Sequence, residues 1–116
     1  MQRTDQEKSN KSKETSEEFL NRLLGLTVEE QVEEMAALSF SVTEIAVFTG
    51  LDCDILRNEI AQGENTPLAK AYQKGKLRTK IMLRYDSLQF ALHGSPDALR
   101  EMREYMSKQA IDEQDA

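Results

Sequence analysis

The sequence predicts an all-α fold, a small helical domain with a long central helix and a C-terminal helix. Three observations predict it. Apolar residues recur at three- and four-residue spacing, and no stretch alternates apolar with polar as a half-buried strand does. Leu, Ile, Ala and Met supply most of the apolar side chains, Trp is absent, and only 6% of residues are aromatic. Ser, Thr and Asp caps alternate with Gly stops along the chain, the punctuation of successive helices. A chain of 116 residues, 39% hydrophobic, makes one domain, or a small domain with tails, around a modest core.

The elements follow in order. Residues 1–15 hold almost no apolar side chain and are expected to form a disordered tail. Residues 16–65 are expected to carry the N-terminal helices. Ser16 is the expected cap of the first, with Phe19, Leu20, Leu23 and Leu24 at helical spacing and Gly25 as its stop. Thr27 and Glu30 have capping-box spacing ahead of Val28, Val32, Met35, Ala36 and Leu38. Ser41 and Glu44 repeat the box, and Gly50 breaks that helix. Asp52 caps the next, whose apolar face is Cys53, Leu56 and Ile60, with Gly63 as its stop. Residues 66–107 are expected to hold a long basic helix, opened by Thr66 and Pro67, and a C-terminal helix opened by Ser95 and Pro96. Gly75 lies inside the long helix at a cost of about 1 kcal/mol against alanine, so either the helix kinks there or something packs close. The polar residues 108–116 are expected to form a flexible tail.

Residues 41–60, "SVTEIAVFTGLDCDILRNEI", have the joints of a helix-turn-helix. Ala46 is small enough for close helix approach, and Gly50, four residues on, allows the left-handed turn. With Cys53, Leu56 and Ile60 inward, the second helix exposes Asp54, Arg57, Asn58, Ala61 and Gln62. Arg57 suits guanine and Asn58 adenine in a major groove, whereas Asp54 opposes phosphates unless it accepts from a cytosine amino group. Asp52 is better suited to capping than to probing. A helical hairpin used only for packing or protein contact fits the same joints.

The net charge of −6 hides a pattern. Residues 14–64 carry a net −10, whereas residues 65–92 carry +5. Nucleic acid responds to local charge, so the second stretch matters most. On the long helix Lys70, Lys74 and Arg78 share a face, and Lys76, Lys80 and Arg84 form a parallel row beside them, a surface suited to phosphates. Its apolar residues make two seams. One is Leu77, Ile81, Tyr85, Leu88 and Leu92; the other is Leu68, Tyr72, Leu83 and Phe90. A lone amphipathic helix needs one seam, so the second calls for another subunit or for the C-terminal helix.

Several chemistries lack their residues. There is no metal-ligand spacing, nucleotide loop or nucleophile constellation, and no cofactor is expected. The single Cys53 excludes an internal disulfide and reads as a small core residue. His93, ahead of Gly94, reads as a helix-end residue near terminal carbonyls, and Glu29, Glu30, Glu33 and Glu34 as a solvated face. No apolar run has the length of a membrane span, so a cytoplasmic protein is expected.

The segment "AYQKGKLRTKIMLRYDSLQFALHGSPDALREMREYM" comes after the helix-turn-helix. Its Tyr72, Gly75-Lys76, Ala91, Gly94, Ser95, Pro96 and Ala98 resemble the region after the DNA-binding helices in small terminase subunits of tailed phages. The resemblance covers roughly residues 40–106, and phage-type helix-turn-helix regulators share a related arrangement. It implies a protein without a catalytic site that recognises viral DNA for packaging, forms a ring-like oligomer and passes DNA to a large terminase subunit. It also implies a host-cell cytoplasmic location, Arg57 and Asn58 as base readers, and Lys74, Lys76 and Arg78 as phosphate contacts. The chain departs from the family in being short and in having an acidic second motif helix. The expectation is therefore a non-enzymatic adaptor for double-stranded DNA that forms a homo-oligomer. The alternatives are a phage or prophage transcription regulator, or a protein-interaction module of the same shape.

Overall fold

A computed structural model describes residues 13–63 and 65–115 of the chain. Among them there are six helices and no strand. They are α1 (Ser16–Leu24), α2 (Val28–Ala37), α3 (Val42–Thr49), α4 (Cys53–Ala61), α5 (Pro67–Leu92) and α6 (Pro96–Asp115). The fold is all-α, with a long central helix of 26 residues followed by a C-terminal one. Most of the tail expected over residues 1–15 lies outside the described residues.

Each helix starts where its own sequence satisfies the free N–H groups of the first turn. In α2, Thr27 Oγ1 accepts from the Glu30 N–H at 3.2 Å, and the Glu30 carboxylate accepts from the Thr27 N–H at 3.1 Å. Ser41 and Glu44 repeat the exchange in α3. Asp52 Oδ1 accepts from the Ile55 N–H at 3.0 Å in α4. Thr66 and Ser95 accept from Ala69 and Ala98 at the starts of α5 and α6, each ahead of a proline that has no N–H to orphan. The cap of α1 is Thr15 rather than Ser16: its hydroxyl accepts from the Glu18 N–H, which makes Ser16 the first helical residue. These bonds hold the Glu30 carboxyl below its ordinary value of 4.5, chiefly through the Thr27 hydroxyl. The Ser41 N–H does the same to Glu44.

Gly50, Gly63 and Gly94 take positive φ, as expected of stops. Ser39 also does, at φ 67°. The Ser39 N–H donates to Ala36 O and the Phe40 N–H to Met35 O, the paired bonds of a Schellman turn, with serine in the left-handed position glycine usually holds. The chain end differs from expectation: α6 continues through residues 108–115, where a flexible tail is expected. Those residues are mostly Gln, Ala, Glu, Lys and Asp, and neither glycine nor proline interrupts them.

The chain divides into two compact units after Gly75, inside α5. In the first unit Leu23 of α1, Val32, Met35 and Ala36 of α2, Ile45 and Ala46 of α3 and Leu56 of α4 form one buried core. Leu68, Ala71 and Tyr72 of α5 pack against it. Gly75 explains how α5 gets so close: a Cβ there would overlap the Glu33 carbonyl oxygen and lie 2.9 Å from Ala36 Cβ. Of the two readings of this glycine, close packing is the one observed.

The second unit pairs the rest of α5 with α6. Half-buried Ser87 and Ala91 of α5, and Ala98, Met102 and Tyr105 of α6, occupy its sheltered positions. Ala98 is its only buried apolar residue among the described residues. Ser87 donates to Glu101 at 3.3 Å, and the Arg84 guanidinium lies 4.2 Å from the centre of the Tyr105 ring.

Candidate nucleic-acid interface

Residues 42–61 form two short helices around a tight turn. Gly50 takes φ 78°, ψ 12°, and its N–H donates to Ala46 O at 2.9 Å. That backbone conformation carries a steric penalty for any residue with a Cβ. Ala46 is buried beside it, and Ile45 and Leu56 are fully buried beneath, so each helix is pinned by its inner face. Thr49 Oγ1 donates to Ile45 O at 2.7 Å, which satisfies that hydroxyl without a solvent partner.

The outer face of α4 is the expected one. Asp54, Arg57, Asn58, Ala61 and Gln62 are exposed, and Cys53 and Ile60 are half-buried. Their polar groups are engaged locally. Arg57 donates to Thr43 Oγ1 at 2.9 Å and stands 3.9 Å from Asp54. Asn58 Oδ1 accepts from Gln62 Nε2 at 3.1 Å. These are exposed contacts of small net worth, so the side chains can exchange them for a ligand at little cost. Asp54 sets the sign of the first turn, and Arg57 partly offsets it.

One residue on this face is not among those the sequence pattern singles out. Ile55 is 61% exposed and lies at the Asn58 and Gln62 edge of this face, about 100° round the helix from Leu56. The helical wheel contains that signal, because Ile55 falls outside the inward set of Cys53, Leu56 and Ile60. An exposed β-branched side chain there suits the methyl group of thymine.

The basic residues of α5 are distributed over both units. Lys70 and Lys74 belong to the first, and Lys76, Arg78, Lys80 and Arg84 to the second. Lys70, Lys76, Lys80 and Arg84 are exposed, and Arg78 is half-buried. Lys74 stands 3.9 Å from Glu33 in a cleft that Arg22, Glu30 and Glu34 also line. A phosphate at Lys74 would meet those carboxylates, so Lys70 is the less encumbered cation of the pair.

Three of the four glutamates of α2 have identified contacts. Glu30 closes the capping box, Glu33 faces Lys74, and Glu34 lies 3.6 Å from Arg22. Glu14 also pairs with Arg22, whose hydrogen bond holds the Glu14 carboxyl below its ordinary value. No group of His, Cys, Asp and Glu among the described residues has the arrangement to hold a metal ion. His93 Nδ1 lies 2.6 Å from Gln89 O at the end of α5, the helix-end position expected of it. No described helix is long and apolar enough to cross a membrane.

The seam of Leu77, Ile81, Tyr85, Leu88 and Leu92 is uncovered along its length, between 40% and 70% exposed. In the other seam Leu68 and Tyr72 dock on the core of the first unit, while Leu83 and Phe90 are exposed. α6 fills neither seam. It meets α5 along Arg84, Ser87 and Ala91, a line between the two on the helical wheel.

Comparison with protein-family models, with curated proteins and with solved structures gives no significant match for this chain.

Proposed function

We propose that this chain is a non-enzymatic DNA-binding adaptor that works as a homo-oligomer, most like a small terminase subunit that recognises viral DNA for packaging. In this reading α3 and α4 are a helix-turn-helix. α4 offers Arg57, Asn58 and Ile55 to base edges, Asp54 faces a cytosine amino group, and Lys70, Lys74, Lys76, Arg78, Lys80 and Arg84 of α5 hold phosphates. The observation that carries it is the left-handed Gly50 between two helices pinned by Ala46, Ile45 and Leu56, with a solvent-facing α4 behind it. The large terminase subunit is the protein partner this reading names. A transcription regulator would need the same helices and the same contacts.

A second reading has its own observation. α4 begins with Asp52 and Asp54, and Lys74 lies among glutamates, which favours a protein-interaction module that repels DNA.

Duplex DNA binding at low and moderate salt separates the two readings. The DNA reading expects an apparent affinity that falls steeply with salt, with a slope shallower by about one for each phosphate contact removed in a Lys74→Ala, Lys76→Ala, Arg78→Ala variant. Arg57→Ala with Asn58→Ala should weaken preferred sequences more than random ones. Absence of salt-sensitive binding, or a triple variant with unchanged affinity and slope, overturns the DNA reading. Helicity of each variant by circular dichroism controls for folding.

A further inference from the structure

An open groove of about 460 Å³ lies on the first unit between α1, α2 and α3. Leu20, Leu23, Met35, Phe40, Val47 and Phe48 give it almost wholly apolar walls. Val47 is 79% exposed and Leu20 48%, an unusual placement beside a core that buries Ile45 and Leu23 almost completely. The surroundings are acidic. Glu44 lines the groove, Glu17 lies one helical turn before Leu20, and residues 14–64 hold only Arg22 and Arg57 against twelve acids. A groove of this kind takes the apolar stripe of a helix, read as anchors three and four residues apart. Acidic rims select a helix whose flanks are basic.

The same chain carries such a helix. Residues 76–84 of α5 hold Lys76, Arg78, Lys80 and Arg84 and no acid. Within and beyond them Leu77, Ile81 and Tyr85 stand in one exposed row. We propose that this row docks into the α1–α2–α3 groove of a second copy, so that copies join head to tail.

Charge decides between this and the other self-pairing available to the row. Two α5 rows laid against each other would bring the basic stretch of one copy against that of the next. Row on groove instead sets Arg78 and Arg84, the two cations that border the row on the helical wheel, near Glu17 and Glu44, and like charges facing each other across an interface are costly. A head-to-tail contact uses two different surfaces, so a pair of copies still has one free groove and one free row. Such contacts close into a ring or run on as a filament. The proposal rests on the reading that copies of this chain assemble, and it is independent of DNA binding.

A complementation experiment in sedimentation equilibrium, without DNA, tests it. Val47→Glu places a charge in the groove, and Ile81→Glu places one in the row. Both positions are exposed, so neither change opens the core, and Leu20→Glu serves as a second groove variant. The parent chain should associate with rising concentration. Each variant alone should associate about a hundredfold more weakly or stay at the 13.2 kDa monomer, because it would bury an unpaired carboxylate. An equimolar mixture of Val47→Glu and Ile81→Glu should form dimers and nothing larger, since one supplies an intact row and the other an intact groove. A parent chain that stays monomeric overturns the proposal. So do groove variants that assemble as the parent does, or a mixture that stays monomeric. Duplex binding of the same variants is read separately, so loss of association with retained DNA binding, or the converse, identifies which reading has failed.

Discussion

Replacing Gly75 with alanine should destabilise the protein, although alanine is the better helix former. Inside a helix the exchange is worth about 1 kcal/mol in favour of alanine. The packing around Gly75 outweighs that gain. The new Cβ would overlap the Glu33 carbonyl oxygen and lie 2.9 Å from Ala36 Cβ and 3.0 Å from the Ala37 nitrogen. Two of those atoms are backbone, so no rotamer relieves the contact and α5 must withdraw from α2. Withdrawal loosens Leu68, Ala71 and Tyr72 from the core they pack against. Overpacking of this kind costs about 3 kcal/mol at the upper end of its usual range, which leaves a net loss of about 2 kcal/mol. For a chain of 116 residues that lowers the melting midpoint by about 8 °C. Thermal and urea denaturation followed by far-ultraviolet circular dichroism measures it. Gly25→Ala is the control, because its Cβ would meet only Arg22 O at 3.7 Å and Asn21 O at 3.9 Å. A Gly75→Ala protein at least as stable as the parent would refute the packing argument.

Two further predictions concern the helix ends. Gly50→Ala should lower stability by about 1–2 kcal/mol through its left-handed backbone alone, since a Cβ there meets nothing within 4 Å, and Ser39→Gly should raise it by about 1 kcal/mol for the opposite reason; urea midpoints measure both. Glu30 and Glu44 titrate below the ordinary 4.5, so their capping contribution is complete above that pH and is lost as pH falls through their lowered folded values. The melting midpoint should therefore drop in acid below about pH 4.5, and Glu30→Gln with Glu44→Gln should flatten that drop while keeping both caps.

How much can be read from the sequence divides by range of interaction. Caps are local, so Thr27, Ser41, Asp52, Thr66 and Ser95 are legible as helix starts from their own neighbours. Gly50, Gly63 and Gly94 are legible for the same reason. Ser39 is not, because nothing in its type announces a left-handed turn. It follows from α2 ending and Phe40 turning back over Met35. The sequence marks Gly75 as anomalous but cannot name α2 as the neighbour, a contact between segments far apart in the chain. The exposed face of α4 is legible except for Ile55. The encumbrance of Lys74 is not, because Glu33 and Glu30 reach it only through the docking of α5 on α2. The two seams of α5 are visible as a surplus of apolar residues, and the structure adds that α6 runs between them.

The contact at Gly75 also fixes how α5 can move. Its near neighbours along the helix face, Ala71, Tyr72, Arg78 and Thr79, all carry a Cβ. A slip of α5 by one turn in either direction would bring one of these side chains to the place where the glycine now meets the Glu33 carbonyl. Some proteins switch by sliding one helix a turn past another. Here that motion is blocked as a pin blocks a sliding bolt. A ligand or partner acting on the start of α5 must swing the helix or lift it from its seat, because it cannot change its register.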